Sequence, residues 1–192
     1  MPGLTKALGT AKKGTVSDAR STREAIDKAC DALIPLTKKP GRLFRSRGLN
    51  GGTWSEDTEK RTLGTENEDA NVLGAAHYWF DLNLGVAVQM SARASSGDWT
   101  QVVDYCFRSD GSLARMESVL VTVDVFDSAD ETHNGVKRSR VRYFDPEGRE
   151  IGRRVEIRNL VDGALAKRRF ADVLEQVYRR SSSLPFYRLL RK

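Results

Sequence analysis

The amino-acid sequence predicts an α+β fold in which a curved, half-barrel-like antiparallel β-meander of about six strands packs against an N-terminal and a C-terminal helix. The meander is indicated by three aromatic runs, at residues 78–80, 105–107 and 143–144, each followed by a tight turn that ends in Gly85, Gly111 or Gly148. Glycine is favoured there because the turns of β-hairpins need a positive φ. The two helices are indicated by apolar residues spaced three and four apart within residues 22–34 and 163–180.

The first helix is predicted over residues 22–34. Ser21 and Glu24 have the spacing of a capping box, in which each side chain bonds a backbone amide at the start of the helix. Ile26 and Cys30 then fall on one apolar stripe, and Pro35 ends the run because it lacks an amide hydrogen. We therefore expect a flexible basic arm over residues 1–20, a single α+β domain over 21–180, and an apolar and basic tail over 181–192.

The remaining elements follow in chain order. Residues 41–64 contain Leu43, Phe44 and Trp54 on either side of the turn signal at residues 50–52, which predicts a peripheral hairpin. The six meander strands come next, and the two formed by residues 99–108 and 113–121 are apolar on both faces, as expected for inner strands. Asp162 is a candidate cap for the C-terminal helix over residues 163–180.

The last hairpin of the meander predicts an arginine-rich surface. A three-residue loop with a glycine bulge would pair Asp145 with Arg149, and counting back from that pair sets Arg140 opposite Arg154. One face then carries five arginines: Arg138, Arg140, Arg142, Arg154 and Arg158. The same counting sets Tyr105 opposite Arg115 in the preceding hairpin.

The net charge of +6 is divided unevenly along the chain. Residues 1–50 carry 11 basic and 4 acidic side chains, residues 51–135 carry 5 and 15, and residues 136–192 carry 16 and 7. A polyanionic partner is one explanation for the basic ends. The other is that acids of the chain itself, such as Glu150 and Glu156, neutralise the arginine-rich face inside the fold.

These patterns predict a non-enzymatic binding or interaction protein. The five arginines, together with Trp99 and Tyr105 on a concave apolar face, are the candidate site for a small anionic or apolar ligand or a protein segment. The alternatives are a hydrolase-type enzyme that uses paired carboxylates such as Asp104 or Asp124 in the sheet cavity, and a nucleic-acid-binding protein that uses the arginine-rich hairpin. Nucleic acid has less support, since only Phe144 is predicted to lie beside the arginines and no nucleic-acid module pattern is present.

No cofactor or metal site is predicted. The carboxylates between Asp124 and Glu131 could hold calcium, but they do not match the EF-hand spacing. His77 is interpreted as a structural histidine and Cys30 as a small buried residue, and the sequence leaves open whether Cys30 and Cys106 pair. No apolar stretch approaches the roughly 20 residues of a membrane-spanning helix. Residues 1–15 lack the continuous apolar region of a secretory signal, so we expect either a cytoplasmic protein or an exported protein that has been trimmed.

Overall fold

The computed structural model describes residues 16–47, 52–57, 73–123, 135–167 and 175–191. Within them lie two α-helices, eight β-strands and two short 3-10 helices. Their bounds are α1 Val16–Asp31, α2 Ile34–Thr37, β1 Arg42–Ser46, β2 Trp54–Asp57, β3 Gly74–Asp81, β4 Gly85–Arg93, β5 Trp99–Phe107, β6 Leu113–Thr122, β7 Val136–Phe144 and β8 Glu150–Asn159, with the 3-10 helices at Ser181–Ser183 and Tyr187–Arg191.

The strands form one open antiparallel sheet in the order β2-β1-β3-β4-β5-β6-β7-β8. The predicted count of about six is therefore wrong, although β3 to β8 are the six strands of the predicted meander. The two further strands are the hairpin predicted between residues 41 and 64. It is part of the main sheet because β1 pairs with β3 as well as with β2.

The sheet has two covered faces. Successive side chains of a strand point to opposite sides, so paired residues on neighbouring strands share a face. We call the side that carries Cys106 and Val141 the helix face, because α1 packs there through Ile26 and Cys30. We call the side that carries Phe44 and the other residues of the larger core the tail face, because residues 175–191 pack against it.

The first helix differs from its prediction at both ends. Since α1 begins at Val16, Ser21 lies inside the helix and the predicted capping box is wrong. Glu24 instead accepts a hydrogen bond from Arg20 Nε at 2.9 Å. The stripe of Ile26 and Cys30 is buried, as predicted, and with Leu33 it anchors α1 to the sheet. Pro35 lies in the first turn of α2, where a missing amide hydrogen is tolerated.

The predicted C-terminal helix over residues 163–180 is wrong in every residue of that range that the structure describes. Residues 163–167 and 175–180 are not helical, and residues 168–174 lie outside the described ranges. Residues 175–180 instead cross the tail face in an irregular conformation. The Tyr105 hydroxyl on this face donates a hydrogen bond to the backbone carbonyl of Gln176 at 2.8 Å. The backbone amide of Leu113 donates a hydrogen bond to the backbone carbonyl of Arg179 at 3.0 Å.

The final residues dock on the domain itself. Leu184 and Phe186 are buried, and the Phe186 ring stacks on Phe44 with centroids 4.5 Å apart. The Arg42 guanidinium donates to the carbonyls of Leu189 and Leu190 at 2.9 and 3.2 Å. The tail is thus apolar because Leu184 and Phe186 complete the hydrophobic core on the tail face.

Besides the predicted glycine bulge at the turn, each of the two long hairpins contains a second bulge within its strands, which the sequence did not predict. The turns themselves are as predicted: Gly111 and Gly148 have φ of 78° and 80°, and Asp145 pairs with Arg149. One residue beyond each turn, however, the second strand holds an extra residue, and the register shifts between Cys106 and Phe107 and between Tyr143 and Phe144. Every pair beyond the bulge is displaced by one position from its prediction.

Candidate functional site

The shifted register divides the five predicted arginines between the two faces. On β7, Arg138, Arg140 and Arg142 point to the tail face, because they pair across β6 with Leu120, Ser118 and Met116. The β8 residues that share this face are those that pair with them, at positions 153, 155 and 157. Arg154 and Arg158 therefore lie on the helix face. The predicted single cationic surface is wrong, and so is the predicted pair of Arg140 with Arg154, since Arg140 faces Val155.

A buried carboxylate neutralises two of the tail-face arginines. The Glu175 side chain is only 3% exposed and contacts the Arg138 guanidinium at 2.9 Å and that of Arg140 at 3.0 Å. The Ser118 hydroxyl donates to the same carboxylate at 2.6 Å. Arg138 is itself 3% exposed, so this network lies within the protein. An acid of the chain itself thus neutralises Arg138 and Arg140, which was one of the two explanations drawn from the sequence. That acid is Glu175, in the C-terminal segment.

The other arginines have neighbours on their own strands or hairpin. Arg142 contacts Glu150 at 2.6 Å, and Arg158 contacts Glu156 at 2.6 Å, each in a partly exposed pair. These are the two acids named from the sequence as possible partners. Arg154 is exposed on the helix face. The ligand-binding role assigned to the five arginines stays a prediction, since the structure contains no ligand.

Trp99 and Tyr105 both lie on the tail face. Tyr105 is buried, with its ring 5.6 Å from that of Tyr178, and burial raises the pKa of its phenol. Trp99 pairs with Thr122 at the opposite end of β5. The sequence pattern also predicts Phe107, Val119 and Val121 on the same concave face as Trp99 and Tyr105. That lining is divided as the arginines are, because the bulge places the two valines on the helix face.

A recess of about 360 Å³ opens on the helix face, between the helices and the middle of the sheet. Its floor is formed by β3 to β6, and one wall by the end of α1 and the start of α2. The residues that line it are Cys30, Leu33, Ile34, Thr37, Trp79, Ala87, Val88, Gln89, Asp104, Tyr105, Cys106, Arg115 and Glu117. A volume of this size suits a small molecule.

Polar side chains form a continuous row across β3 to β6, and three of them, Gln89, Asp104 and Glu117, line the recess. His77 pairs with Gln89, Gln89 with Asp104, and Asp104 with Glu117, on four consecutive strands. Gln89 Nε2 donates to the Asp104 carboxylate at 2.9 Å. Two carboxylates thus lie directly opposite each other, an arrangement that destabilises a sheet when both are charged.

The surroundings of Asp104 favour its neutral form. The carboxyl remains open to solvent, but the protein around it raises its pKa by desolvation, and the negative charge of Glu117 raises it further. The hydrogen bond from Gln89 and the charge of Arg115 act in the opposite direction and are outweighed. A perturbed carboxyl within a recess is typical of a functional site.

Arg115 is the cation nearest to this pair among the lining residues, and two helix acids compensate its charge. Its guanidinium contacts Asp27 at 2.8 Å and Asp31 at 3.0 Å, both on α1. The recess therefore has an excess of negative charge, although the whole chain is basic. This acidic character is the opposite of the anionic-ligand site expected from the composition.

Three contacts hold the side of the recess between the helices and β3 in place. Cys30 and Cys106 form a disulfide that ties α1 to β5, which answers the question of pairing that the sequence left open. Trp79 Nε1 donates to the Lys39 carbonyl at 2.8 Å, and the Trp79 ring stacks on His77 with centroids 5.4 Å apart. Burial lowers the pKa of His77, as does the charge of Arg45, so a half-buried neutral histidine fits the structural role predicted for it.

Of the residues that line the recess, the sequence reasoning had assigned Asp104 and Tyr105 to a candidate site and had not assigned the others. Asp104 was named from the sequence as a candidate for a carboxylate pair in the sheet cavity, whereas Glu117, Gln89 and Trp79 were not assigned to a site. Alternation along the strands would have placed Glu117 beside Asp104 had the bulge been foreseen. Asp124 and the possible calcium ligands that follow it lie outside the described residues.

No protein-family model, curated protein or solved structure matches this chain. In the part of the chain that the structure describes, no group of three or more histidine, cysteine or acidic side chains is arranged to hold a metal ion. None of the helices in those same residues is long and apolar enough to cross a membrane.

Proposed function

We propose that this is a non-enzymatic binding protein that holds a small ligand in the recess on its helix face. The ligand carries a positively charged nitrogen, which Asp104 and Glu117 bind, and an apolar part, which lies against Trp79 and Ile34. The observation that supports this proposal most directly is the pair of opposed carboxylates. Among the described residues that line the recess, Arg115 is the one arginine, and it already forms ion pairs with Asp27 and Asp31.

Electrostatics favour such a ligand. Two adjacent carboxylates repel each other, and a cation placed between them removes that repulsion while its binding lowers the pKa of Asp104. The charge is attracted more strongly in a recess than on an open surface, because the surrounding protein reduces the effective dielectric constant. The indole of Trp79 adds a surface on which a cation or an apolar group can pack.

Matched probes test the charge preference. Phenethylamine, 2-phenylethanol and 3-phenylpropionate share a phenyl group and differ in their polar end, so their affinities can be compared by titration calorimetry near pH 7. We expect phenethylamine to bind most tightly and 3-phenylpropionate least tightly. Tighter binding of 3-phenylpropionate than of phenethylamine would refute the proposal.

Variants locate the binding site. Asp104→Asn and Glu117→Gln keep the shape of the side chains and remove one charge each, and each should weaken phenethylamine binding by about tenfold or more, as expected for a lost charge-assisted bond. Asp98→Asn removes an exposed acid from the loop between β4 and β5 and is the matched control. Equal affinity in all three variants would place the ligand elsewhere.

The raised pKa of Asp104 favours one second candidate, a hydrolase that uses the same pair. A protonated Asp104 could act as general acid while Glu117 acts as the charged carboxylate, which are the two roles needed in glycoside hydrolysis. Turnover of nitrophenyl glycosides that is lost in Asp104→Asn would support this candidate over simple binding. Binding of phenethylamine without any such turnover would support the binding protein.

A further inference from the structure

The turn between β3 and β4 presents three exposed apolar side chains. Phe80 is 56% exposed, Leu82 80% and Leu84 43%, and we call these three residues the apolar tip. They are held by a closed turn, since the Asp81 carboxylate accepts hydrogen bonds from the backbone amides of Asn83 and Leu84 at 2.9 and 3.0 Å. These two bonds also lower the pKa of Asp81, so the turn stays closed at neutral pH.

The strands below the tip are firmly anchored. Gly85 has a φ of 116°, and a side chain there would lie 2.2 Å from the Phe107 carbonyl oxygen, so β4 approaches β5 closely at this end. Trp79 is bonded to the Lys39 carbonyl. The apolar tip is therefore a fixed projection of the sheet, and its exposure is not the result of a missing local contact.

Exposed basic side chains flank the tip on both faces of the sheet. On the helix face, Lys38 and Lys39 are exposed, and Lys39 is close enough to Asp81 to lower its pKa. On the tail face, Arg188 and Arg191 are exposed on the 3-10 helix Tyr187–Arg191. That helix is fixed to Arg42, whose strand partner is Tyr78, two residues before Phe80.

We propose that the apolar tip docks this protein on an anionic lipid surface. Its three side chains enter the boundary between headgroups and acyl chains, while the lysines and arginines on either side contact the negatively charged headgroups. A lipid surface fits better than a protein groove because the tip is convex and its basic residues lie on both sides of it. Neither the apolar tip nor these basic residues belong to the recess, so this proposal is independent of the ligand proposed there.

Vesicle co-sedimentation of the full chain tests the proposal. We expect binding to vesicles of phosphatidylglycerol and phosphatidylcholine, and weak binding to phosphatidylcholine alone. Leu82→Ser should weaken the binding about tenfold, because it removes one side chain from the acyl boundary. Lys38→Glu with Lys39→Glu should weaken it as well and should reduce its dependence on salt.

Leu165→Ser is the matched control. Leu165 is 72% exposed but follows β8 at the opposite end of the sheet, since Asn159 pairs with Val136. We expect this variant to bind vesicles as the wild type does, and thermal unfolding will show that both leucine variants remain folded. Equal binding by Leu82→Ser and the wild type would overturn the proposal. So would loss of vesicle binding on addition of free glycerol phosphate, because the headgroup alone would then account for the interaction.

Discussion

The Glu175 carboxylate offers the sharpest test of how the arginines of β7 are accommodated. Glu175→Gln keeps the size of the side chain and removes its charge. Arg138, with 3% of its side chain exposed, would then lose the charged carboxylate at 2.9 Å, and Arg140 would lose a contact of 3.0 Å with the same group. We therefore expect a substantial loss of stability.

The size of this loss follows from the burial. Removing one partner of a buried ion pair costs about 3 to 5 kcal/mol, because the remaining charge stays desolvated. The glutamine amide can still accept the Ser118 hydroxyl bond, which is 2.6 Å long in the wild type, so we expect a value near the lower end of that range. Urea unfolding followed by circular dichroism will measure the change in the free energy of unfolding.

Glu150→Gln is the matched control for this experiment. Glu150 contacts Arg142 at 2.6 Å, but the side chains are 28% and 22% exposed, so its loss should cost less than about 1 kcal/mol. Replacing both Glu175 and Arg138, by Gln and Met respectively, should restore part of the stability that Glu175→Gln loses. If Glu175→Gln cost no more than Glu150→Gln, the burial argument would be wrong.

Three further changes have defined outcomes. Reduction of the Cys30–Cys106 disulfide, which spans 76 residues, should lower the free energy of unfolding by about 4 kcal/mol, and unfolding with and without reductant will measure this. The folded protein raises the pKa of Asp104, so protonation of Asp104 stabilises the folded state. This stabilisation is fully present below the pKa that Asp104 has in the unfolded chain, and it is lost as the pH rises through the folded-state pKa. Asp104→Asn should therefore stabilise the protein near pH 7 and lose this advantage in acid, which a pH series of thermal unfolding will show. Gly85→Ala should destabilise more than Gly97→Ala, since a Cβ at Gly85 would lie 2.2 Å from a backbone oxygen and one at Gly97 meets nothing within 4 Å; calorimetry of both variants decides this.

The hairpins show how far local sequence carries the prediction. The sequences around Gly111 and Gly148 determine the turns, because positive φ at a fixed position is a local requirement that glycine meets. The bulges one residue further on carry no comparable signal. A single extra residue reverses which face every later side chain occupies, so a correct turn led to a wrong face for Arg154 and Arg158.

The candidate site was predictable to a smaller extent. Asp104 could be singled out because an acid among apolar alternating residues is unusual within one strand. Its relation to Glu117 and Gln89 depends on register between strands, and the wall formed by Ile34 depends on where α2 lies over the sheet. These relations join residues that are distant in the chain, and no short pattern records them.

The antiparallel meander, its glycine turns and the buried stripe of the first helix can be predicted from the amino-acid sequence, since they follow from periodicity and backbone conformation within short segments. The contact of Arg138 with Glu175 and the pairing of Cys30 with Cys106 are visible only in the folded chain. Both outcomes depend on contacts between residues that are distant in the chain. The ion pair also depends on burial, because a buried charge is stable only beside a partner of opposite charge. The basic composition suggested an anionic ligand, but the fold pairs Arg138 and Arg140 with Glu175 and leaves an acidic recess on the opposite face.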